Sequence, residues 1–384
     1  MSASSSFTTQ RSRSLNQQAV LGHIQRSGAR GRAEIARALG LSTQAVSNII
    51  AGLTGDGLLV ERGARSVGRG LPAVQYALNP SGAYALGIEV RPDAIFCALL
   101  DICGDAVATR RVGLTRATPD IVLDRVQAMQ ADILGATGTA PAKLLGAGVV
   151  MPGPFGQTGL SGQGSDLPGW QQTDARAAFK DALALPVELA NDANAAAMAE
   201  RISGVAQGID SYAYLYFGAG LGLGLVQAGH LVTGGFGNAG EIGHIPVPCA
   251  GGPLPLESLL SRLSVQRHMA RGPVDFDTLA ALHEGRDPAL ADWTARAAKA
   301  LGHAVQIIEN LFDPQTIILG GAMPEPLLDA LVMQARLPDA SVSNRPDNPL
   351  PRLQRGASGR LTATLGAAAL VLNRAFTPRN AALI

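Results

Sequence analysis

The sequence predicts an α/β protein with a small, mostly helical head in front of a larger body. Between residues 15 and 80, apolar residues recur at helical spacing and are followed by two short strand-like runs. Beyond residue 80, strand-like runs alternate with helical stretches, as in α/β folds. We therefore divide the chain into an arm at 1–14 that we expect to be flexible, a head at 15–80, and a body at 81–384.

Charge separates the head from the body. The 384-residue chain carries a net charge of +1, yet the acidic residues before residue 80 are only Glu34, Asp56 and Glu61. The basic residues in the same stretch are Arg11, Arg13, Arg26, Arg30, Arg32, Arg37, Arg62, Arg65 and Arg69. A basic module on a mildly acidic body is typical of proteins that bind the phosphate backbone of nucleic acids.

Composition favours a cytoplasmic protein without membrane contact. No apolar run approaches the roughly 20 residues that a membrane helix needs, and residues 1–14 lack the apolar stretch of a signal peptide. The cysteines, Cys97, Cys103 and Cys249, are an odd and scattered set that shows no disulfide pattern. We therefore expect reduced thiols.

Three helices are predicted in the head. The first covers Leu15–Arg26 and is ended by Gly28, and the second covers Ala33–Leu39 and is closed by Gly40. The third begins after Ser42, which is a good N-cap residue. Two of these helices, joined by a tight Gly-Leu-Ser turn, form a helix-turn-helix.

The third helix has an apolar face and a polar face. Its apolar stripe consists of Val46, Ile49, Ile50 and Leu53. Its opposite side carries Thr43, Gln44, Ser47 and Asn48. Short and amide side chains of this kind hydrogen-bond base edges and phosphates in a major groove.

A wing follows the helices. The strand-like runs Leu58–Glu61 and Ala73–Leu78 flank a tip rich in glycine and arginine, which suits phosphate or minor-groove contacts. The alternative is a three-helix protein-interaction module with solvated arginines. We favour DNA binding, because helix spacing, surface chemistry, wing and charge agree. The candidate DNA-binding residues are Arg32, Ser42, Thr43, Gln44, Ser47, Asn48, Arg65 and Arg69.

The body opens with two strand-like runs, Tyr84–Val90 and Ala94–Leu100. Further strands are predicted at Leu145–Met151, Tyr212–Phe217, Gly222–Val226 and Thr316–Leu319. Helices are predicted at Ile121–Leu134, Asp174–Leu183, Ala193–Ser203 and Trp293–Phe312. This alternation predicts an α/β body with two lobes around a cleft.

Two groups of polar residues in the body are candidates for a site. Asn191 and Asp192 lie at a strand-to-helix junction, where Asp192 taken alone is most simply a helix N-cap. Glu241 and His244 lie in a glycine-rich segment that Glu257 follows, and taken alone this is a solvated loop.

From Leu15 to Leu78, and on into Gly82–Val90, the sequence resembles the head of the repressor branch of the ROK family, which groups repressors, uncharacterised reading frames and sugar kinases. The resemblance continues through nearly all of the remaining chain. It implies a winged helix-turn-helix followed by a two-lobed, actin-like ATPase fold of the ribonuclease H-like, sugar-kinase type. One departure lies in the wing, where the family usually has Arg before Pro and this chain has Leu71 before Pro72.

The phosphate-binding loops of the family's kinases are altered here. The kinases have Asp-x-Gly-Gly-Thr after the first body strand, where glycine amides hold phosphate. The matching stretch, Glu89–Asp93, contains no glycine, and Pro92 has no N–H to donate. The second loop, Phe217–Gly224, keeps its glycines but has Ala219 where the kinases usually have Thr. We therefore expect no enzyme activity, no catalytic residue and no cofactor.

The resemblance also implies a sugar in the cleft. In ROK kinases the residue matching Asp192 is the base that takes the proton of a sugar hydroxyl. The other candidates match family residues that hold sugar hydroxyls or lie around the pocket. The candidate effector-binding residues are Gly153, Asn191, Asp192, Glu241, His244 and Glu257.

The zinc motif of the family is incomplete in this chain. Most members have Cys-x-Cys-Gly-x-x-Gly-Cys, which with the histidine binds a structural zinc. Only Cys249 is present here, in a shortened segment. One thiolate and one histidine cannot complete such a site, so we expect no bound metal.

These features predict a transcriptional regulator, more specifically a repressor, that binds a double-stranded DNA operator and responds to a sugar or sugar derivative. A homodimer or homotetramer matches a palindromic operator, and Trp293–Phe312 and Leu365–Leu372 are candidate oligomer contacts. Two alternatives stay open. One is a sugar kinase with a DNA-binding head, and the other is a regulator whose effector pocket has decayed.

Overall fold

The head combines helices with one small antiparallel sheet. The structure, a computed structural model, describes residues 3–65, 72–155, 158, 167–249, 251–270, 272 and 274–378. The head elements are α1 (Ala3–Ser27), β1 (Arg30–Gly31), α2 (Arg32–Leu39), α3 (Thr43–Gly55), β2 (Leu59–Arg65) and β3 (Ala73–Leu78). The strands pair antiparallel in the order β1-β3-β2. The predicted winged helix-turn-helix is confirmed.

Local chemistry explains why the helices of the head start and stop where they do. Gly40 ends α2 in the left-handed conformation, with φ of 64°, which a residue without a side chain adopts at little cost. Ser42 caps α3, and its hydroxyl accepts a hydrogen bond from the Ala45 amide at 3.2 Å. The apolar stripe that the sequence predicts on α3 is buried against the other helices.

The first helix is longer than the sequence pattern predicts. It begins at Ala3 rather than at Leu15, so most of the segment expected to be a flexible arm is helical. Its second half is held in the core of the head by Val20, Leu21 and Ile24. Because no proline or glycine occurs before Gly22, nothing in the covalent chain stops the helix from continuing towards the N-terminus.

The first lobe of the body is a five-stranded mixed sheet with helices beside it. Its elements are β4 (Tyr84–Val90), β5 (Ala94–Asp101), β6 (Ala106–Gly113), α4 (Pro119–Thr137), β7 (Leu144–Val150), α5 (Ala175–Leu183), β8 (Val187–Ala190) and α6 (Asp192–Ser203). The strand order is β6-β5-β4-β7-β8. The β6-β5-β4 part is antiparallel, whereas β4, β7 and β8 are parallel.

The second lobe repeats this plan. The strands are β9 (Tyr212–Phe217), β10 (Leu221–Gln227), β11 (His230–Leu231), β12 (Pro246–Val247), β13 (Leu254–Pro255), β14 (Ile317–Gly321) and β15 (Leu353–Ser358). Five of them form a sheet in the order β11-β10-β9-β14-β15, which is antiparallel at the start and parallel at the end. Strands β12 and β13 pair separately. The helices are α7 (Arg262–Met269), α8 (Phe276–Glu284), α9 (Pro288–Phe312), α10 (Glu325–Gln334) and α11 (Thr362–Phe376). Two sheets of one plan confirm the actin-like, two-lobed body.

Helices α6 and α11 lie side by side between the two sheets. Gly366 of α11 is in contact with the Ala195 carbonyl of α6, where a Cβ would clash. Gly148 of β7 is similarly close to the Ala367 carbonyl of α11. Small residues at these contacts let the backbones approach closely, which explains the alanine-rich composition of both helices.

This packing corrects one sequence expectation. Leu365–Leu372, a candidate oligomer contact, belongs to the buried helix α11, in which Ala367 and Ala368 are inaccessible to solvent. The stretch is interior because its small side chains fit between two closely spaced sheets. The other candidate, Trp293–Phe312, is also largely buried, and only its last turn exposes large apolar side chains, at Leu311 and Phe312.

Two further features concern membrane-spanning helices and the cysteines. Within the described residues, no helix has both the length and the apolar character needed to cross a bilayer. Cys97, Cys103 and Cys249 are free thiols. Burial raises the pKa of the Cys97 thiol to about 12, which makes it unreactive.

Candidate functional site

The cleft between the lobes contains the N-terminus of α6. Asn191 is the N-cap, since its side-chain oxygen accepts a hydrogen bond from the Asn194 amide at 2.9 Å. The cap role that the sequence alone suggested for Asp192 therefore belongs to its neighbour. Asp192 is the first helical residue, and one of its oxygens accepts from the Ala193 amide at 2.9 Å. The helix N-terminus stabilises negative charge at this position.

Glu241, His244 and Glu257 form a second polar group, supplied by the second lobe. His244 Nε2 lies 3.7 Å from a Glu241 oxygen, and His244 Nδ1 lies 3.9 Å from a Glu257 oxygen. A short helical turn at Ile242–His244 holds the first two residues, and another at Leu256–Ser258 holds the third. One histidine is thus placed between two carboxylates.

Glycines join these two groups into one site. A Cβ on Gly153, in the loop after β7, would lie 3.4 Å from Glu241 Oε1 and 3.9 Å from Asn191 Cβ. A Cβ on Gly218, in the turn between β9 and β10, would lie 3.7 Å from Asp192 Oδ2. The six candidate effector-binding residues therefore surround a single region between the lobes.

The electrostatics of the site follow from crowding carboxylates in a partly buried place. Burial raises the pKa of Asp192 to about 6, and the negative charges of Glu89 and Glu241 add to the effect. Burial also raises the pKa of Glu241, although His244 acts in the opposite direction, and the Glu257 carboxylate adds to the increase. Carboxylates that are short of water are strong acceptors for hydroxyl donors.

Sequence reasoning missed the role of Glu89 and Arg91. Glu89 is buried, and its two oxygens accept hydrogen bonds from Arg91 Nε and from Thr364 Oγ1 of α11, both at 2.6 Å. The Arg91 guanidinium lies 4.3 Å from the centre of the Phe96 ring and donates to the Arg360 carbonyl at 2.7 Å. The turn after β4 is thus filled by an arginine side chain. The signal available in the sequence was Glu89, a charged residue inside an otherwise apolar strand.

The second glycine loop is largely structural. The Gly218 amide donates to the Gly220 carbonyl at 3.0 Å, and the Arg262 amide at the start of α7 donates to the Gly218 carbonyl at 3.0 Å. A Cβ on Gly222 would lie 2.8 Å from Ala193 Cβ of α6. These glycines permit a tight turn and close helix packing.

Two further amides lie near the cleft. Asn238 links the lobes: its Oδ1 accepts from the Phe155 amide at 2.7 Å, and its Nδ2 donates to the Phe155 carbonyl at 2.9 Å. Asn194 is buried in the first turn of α6, and its Oδ1 has no hydrogen-bond partner among the described residues. Buried unpaired acceptors are costly, which makes Asn194 notable beside the site.

The polar face of α3 is open to solvent. Thr43, Gln44 and Asn48 are exposed and Ser47 is half-buried. Gln44 Nε2 donates to Asn48 Oδ1 at 3.1 Å, so these two amides are already oriented on one face. The arrangement offers hydrogen-bond donors and acceptors without disturbing the buried stripe of the helix.

The remaining head candidates differ in how they are placed. Ser42 is exposed but its hydroxyl is engaged in the cap. Arg32, at the start of α2, donates to the Tyr76 hydroxyl, and its guanidinium lies 5.1 Å from the centre of the same ring. Arg65 is the last residue of β2, but its side chain lies outside the described part of the chain, as does all of Arg69.

Two protein-family models match separate parts of the chain. A model described as the ROK family matches residues 85–374. A model described as the MarR family matches residues 13–70.

Individual relatives and solved structures cover most of the chain. An uncharacterised protein of Sinorhizobium fredii is 29% identical over 83% of this chain and 81% of its own. The xylose repressor of Bacillus spizizenii is 25% identical over 81% of this chain and 83% of its own. A ROK family transcriptional regulator, a homologue of the Escherichia coli MLC protein, superposes with a TM-score of 0.70 and 23% identity over 95% of this chain and 97% of its own. A ROK hexokinase from Thermus thermophilus superposes with a TM-score of 0.58 and is 27% identical, over 74% of this chain and 97% of its own.

Proposed function

This chain belongs to the ROK family, and we propose that it is a transcriptional repressor whose binding to operator DNA is controlled by a sugar in the cleft. The observation that carries the proposal is that one chain has both an exposed polar face on α3 and a carboxylate-rich cleft. In that cleft, Arg91 fills the turn after β4, which matches the first phosphate-binding loop of the kinases. Similarity to a xylose repressor over most of both chains supports it.

The cleft suits an uncharged polyol. Asp192, Glu241 and Glu257 offer acceptors, and sugar hydroxyls are the donors that match them. In a kinase the residue matching Asp192 takes a proton as the hydroxyl attacks a phosphate. Without a phosphate to attack, Asp192 accepts a hydrogen bond from that hydroxyl and the sugar stays intact.

The head suits a major groove. Gln44 and Asn48 project from the exposed side of α3, and amide side chains of this kind pair with adenine edges. A two-fold homo-oligomer presents two such helices at the spacing of a palindromic operator. We therefore propose a homodimer or homotetramer as the operator-binding form.

Operator binding with a sugar panel tests the proposal. The purified chain is titrated against DNA from its own promoter region at fixed salt, with and without D-xylose, D-glucose and N-acetyl-D-mannosamine at millimolar concentration. One of these sugars is expected to weaken operator binding, and Asp192→Ala and Glu241→Ala are expected to abolish the shift. Asp132→Ala, an exposed carboxylate of α4 away from the cleft, serves as the control. Tight DNA binding that no sugar changes argues for a decayed pocket.

A sugar kinase is the second candidate, because the glycines beside Asp192 are retained and a ROK hexokinase shares the body fold. We propose that phosphoryl transfer does not occur, since Arg91 and Thr364 engage Glu89 and the first turn has no glycine amides to hold phosphate. The test is ATP-dependent phosphorylation of the same sugars. Product that disappears in Asp192→Asn establishes the kinase and contradicts this part of the proposal.

A further inference from the structure

Helices α6 and α11 both begin at the cleft and end beneath the head. Helix α6 starts at Asp192, and α11 carries Thr364, which donates to Glu89. The two helices run in the same direction, because Gly366 contacts Ala195 near their starts and Asn373 pairs with Arg201 near their ends. Two packed helices therefore lead from the cleft to the head.

The first helix of the head is docked on the C-terminal ends of both. Gln25 Nε2 of α1 donates to the Ile202 carbonyl of α6 at 2.8 Å. Gln18 Nε2 of α1 donates to the Arg374 carbonyl of α11 at 3.0 Å. Gly22, between these glutamines, leaves room for the Phe376 carbonyl. The last carbonyls of a helix have no partner within it, so they are available to side chains from outside. The Ile202 carbonyl also accepts a hydrogen bond from Gln207 Nε2 at 2.7 Å, so Gln25 shares this acceptor with a residue of the body.

Each helix follows a strand of one lobe in the chain and packs against the sheet of the other lobe: α6 follows β8 of the first lobe, and α11 follows β15 of the second. Helix α6 is tied to the second lobe, since Tyr212 of β9 donates to the Ala197 carbonyl at 2.6 Å. Helix α11 is packed on the first lobe, where Gly87 of β4 and Gly148 of β7 contact its backbone. A change in the angle between the lobes must therefore be taken up, at least in part, as sliding of α6 along α11. Helix shifts of about 1–2 Å are typical of such transitions.

We propose that Gln18 and Gln25 couple the cleft to the head by sensing this sliding. Because each glutamine is bonded to a different helix, α1 cannot keep both hydrogen bonds when one helix moves, unless it moves as well. Helix α1 shares one continuous apolar core with α2 and α3, so its displacement carries the recognition helix with it. Both glutamines lie where α1 meets the C-terminal ends of α6 and α11, away from the cleft residues and from the polar face of α3, and both act as positioning residues. This inference rests on the proposed sugar-controlled DNA binding.

The test uses the full chain and near-isosteric substitutions. Gln18→Met, Gln25→Met and the double variant remove the donated hydrogen bonds while keeping side-chain length and helix propensity. Gln17→Met is the matched control, because Gln17 lies on the same helix and makes no hydrogen bond to the body among the described residues. The readout is the ratio of operator Kd with and without sugar, using the three-sugar panel above. Calorimetry measures sugar affinity separately.

Each single variant is expected to reduce that ratio by about threefold or more, and the double variant to bring it close to one. Sugar affinity and the sugar-free operator complex persist, which shows that cleft and head are folded. A purely structural role would instead lower operator affinity and the melting temperature and leave the ratio unchanged. Variants that respond as the parent does overturn the inference. A parent protein that responds to no sugar contradicts the proposed function itself, and the inference with it.

Discussion

At the scale of single residues, the cleft is defined by several carboxylates in a partly buried place. Asp192 and Glu241 come from different lobes, and the pKa of each is raised because water is partly excluded and other carboxylates are near. Arg91, in the turn after β4, is engaged by Glu89 rather than by the site. Negative charge is thus left available for hydroxyl donors, and a phosphorylated or carboxylated ligand is disfavoured.

Sugar binding is expected to weaken as the pH falls through about 6, because protonation of Asp192 removes the negative charge that makes it a strong acceptor. If only the ionised form binds, the sugar Kd rises about tenfold for each pH unit below the Asp192 pKa. Calorimetry between about pH 5 and pH 8 measures this. Asp192→Asn is expected to bind weakly with a flat profile in that range, whereas Asp132→Asn retains the parental profile. A flat profile for the parent protein contradicts the role of Asp192.

Gln44 and Asn48 are expected to determine which DNA sequence is bound. Gln44→Ala and Asn48→Ala should each cost about 1–3 kcal/mol of discrimination between operator and random DNA, because each removes contacts to base edges. Competition binding at one salt concentration measures this. Thr54→Ala, at the exposed far end of the same helix, should leave discrimination unchanged. An equal loss for operator and random DNA shows that the two amides contact phosphates instead.

At the scale of elements, close packing between α6, α11 and the two sheets depends on glycine. Gly366 faces the Ala195 carbonyl, and Gly87 and Gly148 face the backbone of α11. Each missing side chain brings two backbones together, so the helices transmit displacement instead of absorbing it. The cost is sensitivity to any added methyl group.

A matched pair of glycine substitutions tests this packing. Gly366→Ala is expected to destabilise the protein by about 1–3 kcal/mol, because its methyl group would overlap the Ala195 carbonyl. Gly135→Ala in α4 is expected to stabilise it by up to about 1 kcal/mol, because the new methyl group meets no neighbour and alanine favours helix. Urea unfolding followed by circular dichroism measures both. Equal effects for the two substitutions contradict the packing argument.

At the scale of the whole molecule, head and body are joined by shared structure rather than by a linker alone. One apolar core includes Ile35 and Val46 of the head together with Ala196 and Phe376 of the body. The head therefore has a defined position on the lobes. That position depends on α6 and α11, the two helices that begin at the cleft. A movement of the body is therefore expected to move the head with it.

Sedimentation equilibrium is expected to give twice or four times the mass of the chain, since paired half-sites need paired heads. The exposed Leu311 and Phe312 make the last turn of α9 the candidate contact. Leu311→Glu is then expected to shift the assembly towards monomer and to weaken operator binding. Val205→Glu, another exposed apolar position, is the control. A monomeric parent protein contradicts the proposed assembly.

The sequence by itself determined the elements whose signals are local. The stripe on α3, the cap at Ser42 and the stop at Gly40 lie within a single turn or two of helix, and the structure confirms each of them. The strands Tyr84–Val90 and Tyr212–Phe217 were also predicted at their observed bounds, because buried strands are continuous apolar runs. Strands β6 and β15 were missed, since both are edge strands with few apolar residues.

Only the tertiary structure decided how distant segments meet. It gathers Gly153, Asp192, Glu241 and Glu257 around one cleft, and it pairs Glu89 with Thr364 across most of the chain. It also puts the alanine-rich helix α11 in the interior, where sequence reasoning had placed it at a surface. Alanine and glycine have no strong preference for burial, and their value here is the close approach that they allow between elements. Whether a close approach is possible depends on the element that packs against the helix, and a local sequence pattern holds no information about that element.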